Sequence, residues 1–156
     1  MPTYAIYTHA AALTNDQRDS LARLITARHS KETGAPPSFV QIVFQELSEQ
    51  GHYIGGQPTD RRSVYIHGHI RDGRGENAKS NVALGIRDDV VETVGVPNDL
   101  VWVYISEIPA DQMIEFGRPL PLHGQEYQWM DALPAPLRER LETLDAQAAG
   151  WLTANT

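Results

Sequence analysis

The sequence contains no cysteine, so disulfides, thiolate metal sites and cysteine nucleophiles are all excluded. It has no apolar run near the ~20 residues that span a bilayer, and no basic segment followed by an apolar one at its start, so no signal peptide is visible. The expectation is a soluble, cytoplasmic protein without a membrane partner. Positive charge is in the minority: 13 Lys and Arg against 20 Asp and Glu give a formal net charge of −7. That balance argues against general binding to nucleic acid or anionic lipid. Also missing are a His-Glu-x-x-His pair, a Gly-x-Ser-x-Gly elbow and a phosphate-binding glycine loop. No low-complexity tract suggests disorder, and 156 residues at 41 % hydrophobic suffice for one domain with a proper core.

What is present is a repeated pattern. Tyr4-Ala5-Ile6-Tyr7 reads as a strand. Thr14-Asn15-Asp16-Gln17 has the form of a capping box, Leu21, Leu24, Ile25 and Arg28 follow helical spacing, and Gly34 with Pro36 stops the helix. Phe39–Phe44 reads as a well-buried strand, followed by a hairpin or loop around Gly51, Gly55, Gly56 and Pro58. The order then restarts: a strand at Ser63–His67, a turn at Arg71–Gly75, a helical face of Val82, Ile86 and Val90, a stop at Gly95 and Pro97, and a buried strand at Leu100–Ile105. The halves align without a gap when offset by 61 residues, with Tyr4 on Tyr65, Ile25 on Ile86, Gly34 on Gly95, Pro36 on Pro97 and Glu46 on Glu107. This predicts an α/β (α+β) fold built from a tandem β-α-β duplication, with units at about 2–47 and 63–108. Each unit holds parallel strands joined by a right-handed crossover helix. Together they make a four-stranded sheet with two helices on one face. A tail, 109–156, broken by Pro119, Pro121, Pro134 and Pro136, falls outside the repeat; Leu137, Leu141 and Leu144 suggest a short amphipathic helix there, with Trp151 and Leu152 at its end.

Six residues could carry chemistry. Pro2 becomes the N-terminus if Met1 is trimmed, and a secondary amine with a pKa near that of an α-amino group (about 7.7–8.0) exchanges protons at neutral pH. The alternative is a Met-Pro that merely starts the chain. Arg71 and Arg74 suit a carboxylate clamp because guanidinium forks make bidentate contacts; the alternative is a solvated turn. His29 falls on the core-facing stripe of its helix, as a catalyst or a satisfied buried polar group. Tyr104 ends a strand. Glu115, flanked by apolar residues, is either a desolvated carboxylate suited to proton transfer or an exposed glutamate on a short helix. His67 and His69 share a strand face but lack a third ligand, so no metal is expected.

Pro2, His29, Arg71-Asp72-Gly73-Arg74, Trp102-Val103-Tyr104 and Gln112-Met113-Ile114-Glu115-Phe116-Gly117-Arg118, on a duplicated β-α-β frame, resemble the tautomerase superfamily. The resemblance is to its cis-3-chloroacrylic acid dehalogenase group. It covers nearly the whole chain and fills all six functional positions, with His69 where leucine and Asp72 where glutamate are usual. It implies that Arg71, Arg74 and His29 bind the carboxylate of a small α,β-unsaturated acid. It implies further that Tyr104 and Glu115 position and deprotonate water, that Pro2 protonates Cα, that no cofactor is needed and that the protein is a homotrimer. The counterpart of Pro2 at the 61-residue offset is Ser63, so each chain supplies one active proline. A keto-enol tautomerase, and a non-catalytic binding or structural trimer, are the alternatives.

Overall fold

The computed structural model describes residues 2–152; Met1, on whose removal the basicity of Pro2 depends, and residues 153–156 lie outside the described residues. The first unit runs β1 (Thr3–His9), α1 (Asn15–Thr33) and β2 (Gln41–Leu47), followed by a small hairpin of β3 (Tyr53–Ile54) and β4 (Gln57–Pro58). The second runs β5 (Val64–Arg71), α2 (Glu76–Val94) and β6 (Val101–Ile108), with its own hairpin of β7 (Ile114–Glu115) and β8 (Arg118–Pro119). Two further helices, α3 (Glu126–Asp131) and α4 (Ala135–Leu152), follow among the described residues. The sheet order is β2-β1-β5-β6. β1 pairs with β2 in parallel and β5 with β6 in parallel, while β1 and β5 meet antiparallel at the centre with Thr3 opposite His69.

Strand alternation decides which face is covered. Tyr4 and Ile6 of β1 and Val64 and Ile66 of β5 point to the helices, where they meet Leu21, Ile25, Val82, Ile86 and Val90. Each such side chain, taken fully out of water, contributes about 1.5–3 kcal/mol. The helix ends follow the sequence: Thr14 and Gln17 form the capping box of α1, and Gly34 and Gly95 close α1 and α2 in left-handed conformation.

The 61-residue offset shows in the contacts. Arg28 and Asp89, equivalent positions of the two helices, bond to each other at 2.9 Å. Arg18 pairs with Glu46 in the first unit, and their counterparts Lys79 and Glu107 pair at 2.8 Å in the second. The two hairpins are also equivalent: Gly55 and Gly56 turn with φ of 59° and 77°, Phe116 and Gly117 with 50° and 75°. The repeat therefore runs on past Ile108 to Pro119, further than the sequence pattern indicated.

Three expectations are corrected. β2 and β6 are not fully buried: both are edge strands, and their residues are mostly half-exposed because only one sheet face is covered. Phe39 precedes β2 in a 3-10 turn and packs instead into a second core with Ala110, Met113, Leu120, Met130, Leu133 and Leu141. The C-terminal helix is long, not short, and Leu144 lies on its exposed side. α4 is held by Asp145, which accepts hydrogen bonds from Ser38 N–H at 2.7 Å and Ser38 Oγ at 3.0 Å. This second core brings the β7–β8 hairpin and α3 to the end of the sheet where β1 begins and β5 ends.

Candidate active site

Pro2 is buried at the start of β1, and its carbonyl accepts a hydrogen bond from Gln41 N–H at 2.9 Å. The antiparallel β1–β5 register brings it beside Ile70 and Arg71. Pro2, His29, Arg71 and Arg74 line one pocket together with Ala35, Phe39 and Ile70. Four of the six predicted residues are thus in one place. The pocket holds only about 10 Å³ of free space, room for one water at most.

His29 is 2 % exposed. Burial, and then the charge of Arg74, lower its pKa to about 3, so the imidazole is neutral near pH 7. Its Nδ1 lies 2.8 Å from the Tyr4 hydroxyl. Tyr4 is fully buried, and burial raises its pKa, so it remains a phenol whose proton needs an acceptor. Donation from Tyr4 to Nδ1 satisfies that proton and leaves the imidazole N–H on Nε2. Of the two alternatives for His29, the satisfied buried polar group is the one seen. Strand alternation put Tyr4 on the helix side with Ile6, which was the signal for this partnership.

Arg71 and Arg74 are neither solvated nor free. Their side chains are 5 % and 7 % exposed, and both meet the Glu126 carboxylate, which sequence reasoning missed. Arg71 also donates to the Pro121 carbonyl at 2.6 Å, and Arg74 donates to the Thr33 carbonyl at 2.5 Å. Both guanidiniums therefore have structural partners, and the solvated-turn alternative is not what is seen. Glu126 follows Gly124 and Gln125 in a polar stretch, and nothing local distinguishes it from a surface glutamate.

Glu115 sits on β7 of a hairpin, not on a helix, and is half-buried. It lines a groove with Thr3, Phe39 and Gln41, and Phe39 is shared with the Pro2 pocket. Burial raises its pKa, and Arg71 opposes the shift. The adjacent Phe116, at φ 50°, takes the left-handed turn position that its counterpart Gly55 adopts without a Cβ.

Tyr104 does not join the other five within the chain. It projects from β6, two strands from β1, on the face of the sheet that no helix covers, and is 56 % exposed. Its ring packs edge-on against Tyr65 at 5.3 Å, and Tyr65 stacks on Tyr7 at 5.5 Å. His67 and His69 share this face with ring centres 4.1 Å apart, and His67 Nε2 bonds to Ser106 Oγ at 2.7 Å. Among the described residues no group of three or more His, Asp or Glu gathers as a metal site, and no helix is long and apolar enough to cross a membrane.

Residues 1–132 match the family described as "Putative oxalocrotonate tautomerase enzyme". The crystal structure of N1, a member of the cis-3-chloroacrylic acid dehalogenase family, is 33 % identical, with a TM-score of 0.87 over 90 % of this chain and 99 % of that one. Native Ps01740 is 34 % identical, with a TM-score of 0.69 over 72 % of this chain and 99 % of that one. A fused 4-OT, described as an asymmetric trimer, shares the fold at 22 % identity, with a TM-score of 0.68 over 75 % of this chain and 94 % of that one. No curated protein sequence matches. With a tautomerase family match over most of its length, and a dehalogenase-family structure superimposing on nearly all of it, the chain belongs to the tautomerase superfamily, in its cis-3-chloroacrylic acid dehalogenase group.

Proposed function

We propose that this protein is a cofactor-independent hydrolytic dehalogenase or hydratase of small α,β-unsaturated carboxylic acids, of the 3-haloacrylate type. The observation that carries the reading is the pocket itself: buried Pro2, two guanidiniums and the neutral His29 meet there, with the desolvated Glu115 beside it. Arg71, Arg74 and the His29 N–H bind the substrate carboxylate and stabilise the charge that develops on it as water adds at Cβ. Glu115 takes a proton from that water; its raised pKa makes it a stronger base than an ordinary glutamate. Pro2, once Met1 is removed, is a secondary ammonium and delivers a proton to Cα. The adduct carries hydroxyl and halogen on one carbon; loss of halide and the hydroxyl proton gives malonate semialdehyde.

The assembly is a homotrimer on this reading. The uncovered sheet face, with its Tyr7, Tyr65 and Tyr104 cluster and two half-exposed edge strands, is a surface for neighbouring copies, and related fused 4-OT proteins are described as trimers. Tyr104 faces away from its own Pro2, so it serves the site of an adjacent subunit, where it helps to position the water.

The family description favours one second reading, a keto-enol tautomerase, which needs Pro2 as a neutral base and no water-activating carboxylate. The deciding experiment first confirms Met1 removal by intact mass. It then compares halide release from cis-3-chloroacrylate with ketonisation of an enolised 2-keto acid. Halide and malonate semialdehyde are expected; processed protein that ketonises the enol and releases no halide refutes the hydrolytic reading.

A further inference from the structure

Glu126 is the one buried carboxylate at the site without a part in the chemistry above. It opens α3, is 9 % exposed, and its Oε1 meets Arg71 Nη2. The same oxygen lies 3.5 Å from Arg74 Nη2 and 3.6 Å from His123 Nδ1. Pro121, five residues earlier, takes the hydrogen bond from Arg71 Nη1 at 2.6 Å. The 121–126 segment therefore holds both terminal nitrogens of Arg71. Its Nε is buried and has no hydrogen-bond partner. An arginine has five N–H donors in one rigid plane, so tying its outer end fixes the direction of the donors that remain. Two guanidiniums side by side also repel: burial and then the charge of Arg71 lower the pKa of Arg74, and Glu126 opposes this. Burial alone would push the Glu126 carboxyl up; the hydrogen bond from Arg71, a backbone hydrogen bond and the charges of Arg71 and Arg74 together outweigh that and hold it below its ordinary value.

We propose that Glu126 is the positioning residue of the arginine pair: it acts through Arg71, fixing that guanidinium so that its unsatisfied N–H can receive a substrate carboxylate. The role in turnover rests on the hydrolytic reading above; the role in carboxylate binding does not. Two other roles give different results. A packing anchor for α3 would act independently of Arg71. A plug sitting in the clamp would weaken binding of an external acid, so its removal would tighten it.

The test uses propionate, a three-carbon acid with no double bond to hydrate, titrated by NMR, and cis-3-chloroacrylate turnover followed by halide release. The proteins are wild type, Glu126→Ala, Glu126→Gln, Arg71→Ala and the double variant Glu126→Ala/Arg71→Ala. Glu126→Ala is expected to weaken propionate binding about tenfold and to raise KM more than it lowers kcat. Glu126→Gln keeps an acceptor for Arg71, so it should bind propionate no tighter than wild type and closer to wild type than to Arg71→Ala. The double variant should bind no worse than Arg71→Ala alone. Additive losses overturn the proposal, as does tighter propionate binding by either Glu126 variant. If Glu126→Ala does not fold, Glu126→Gln decides: binding as weak as that of Arg71→Ala overturns it. Wild type that binds propionate through Arg71 and releases no halide would refute the hydrolytic reading and leave this inference standing. Propionate binding indifferent to Arg71→Ala would end the inference whatever the turnover.

Discussion

Acidification from pH 7.5 to 4.5 should cost the fold about 3 kcal/mol through His29 alone. In the unfolded chain this histidine titrates at its ordinary 6.5; in the folded one burial and Arg74 hold it at about 3. Between those values the unfolded state carries the extra proton. The stabilisation is therefore complete above pH 6.5 and declines as pH falls towards 3, at about 1.36 kcal/mol per pH unit. Two units below 6.5 give the figure above. His52 and His67 are shifted the same way, and Asp60 is lowered to about 2 by its Arg62 hydrogen bonds, so the raw pH profile is a composite. The comparison that isolates His29 is wild type against His29→Gln, which keeps an acceptor for the Tyr4 hydroxyl and does not titrate. Urea unfolding followed by tryptophan fluorescence, at one protein concentration and at pH 4.5, 5.5 and 7.5, gives both curves. The wild-type stability should fall faster by about 3 kcal/mol over the range. Parallel curves would mean that His29 is not held neutral, and the assignment of Nε2–H as the donor to substrate would fall with it.

Glu115→Gln should lower hydration of a 3-haloacrylate by about 10²–10⁴, the usual cost of losing a general base, with ketonisation of an enol by Pro2 little changed; equal losses in both assays would remove Glu115 from water activation. Gly68→Ala should destabilise by about 1–3 kcal/mol in chemical denaturation, because the new Cβ would lie 2.6 Å from the ring of Tyr4, which is itself fully buried; an unchanged midpoint would contradict that packing. Arg28→Ala should cost about 1–3 kcal/mol by leaving the largely buried Asp89 carboxylate unpaired. Asp89→Ala should cost less, because Arg28 is partly exposed and can turn to solvent, and thermal unfolding of the two variants would show the reverse order if Arg28 were the costlier orphan. Light scattering at micromolar concentration should give the mass of three chains, and a monomer would remove the basis for Tyr104 serving a neighbouring site.

Local order was legible because it is written in spacing. Alternation in Tyr4-Ala5-Ile6-Tyr7 sets which side chains meet the helices, Thr14 with Gln17 and Gly34 set the ends of α1, and the 61-residue offset carries the same instructions into the second unit. Those patterns determine two β-α-β units; the gathering of Pro2, His29 and Arg71 at one end of the sheet was implied by the family resemblance and is seen in the pocket they line. The patterns also placed Tyr104 on a strand without saying which way it would face, and they did not show the hairpin that carries Glu115. Contacts between residues far apart in sequence carry no such periodic signal. Glu126 lies 55 residues after Arg71, and its carboxylate reaches the clamp only because Leu120, Met130, Leu133 and Leu141 pack the tail against Phe39. The edge strands look as apolar as central ones in sequence, yet stay half-exposed until something covers the open face. Hydrophobic spacing determines which face of an element is buried, through burial energies that act residue by residue. Which charges then meet is decided by the folded path of the loops and the tail, and so the partner of Arg71 was settled only in three dimensions.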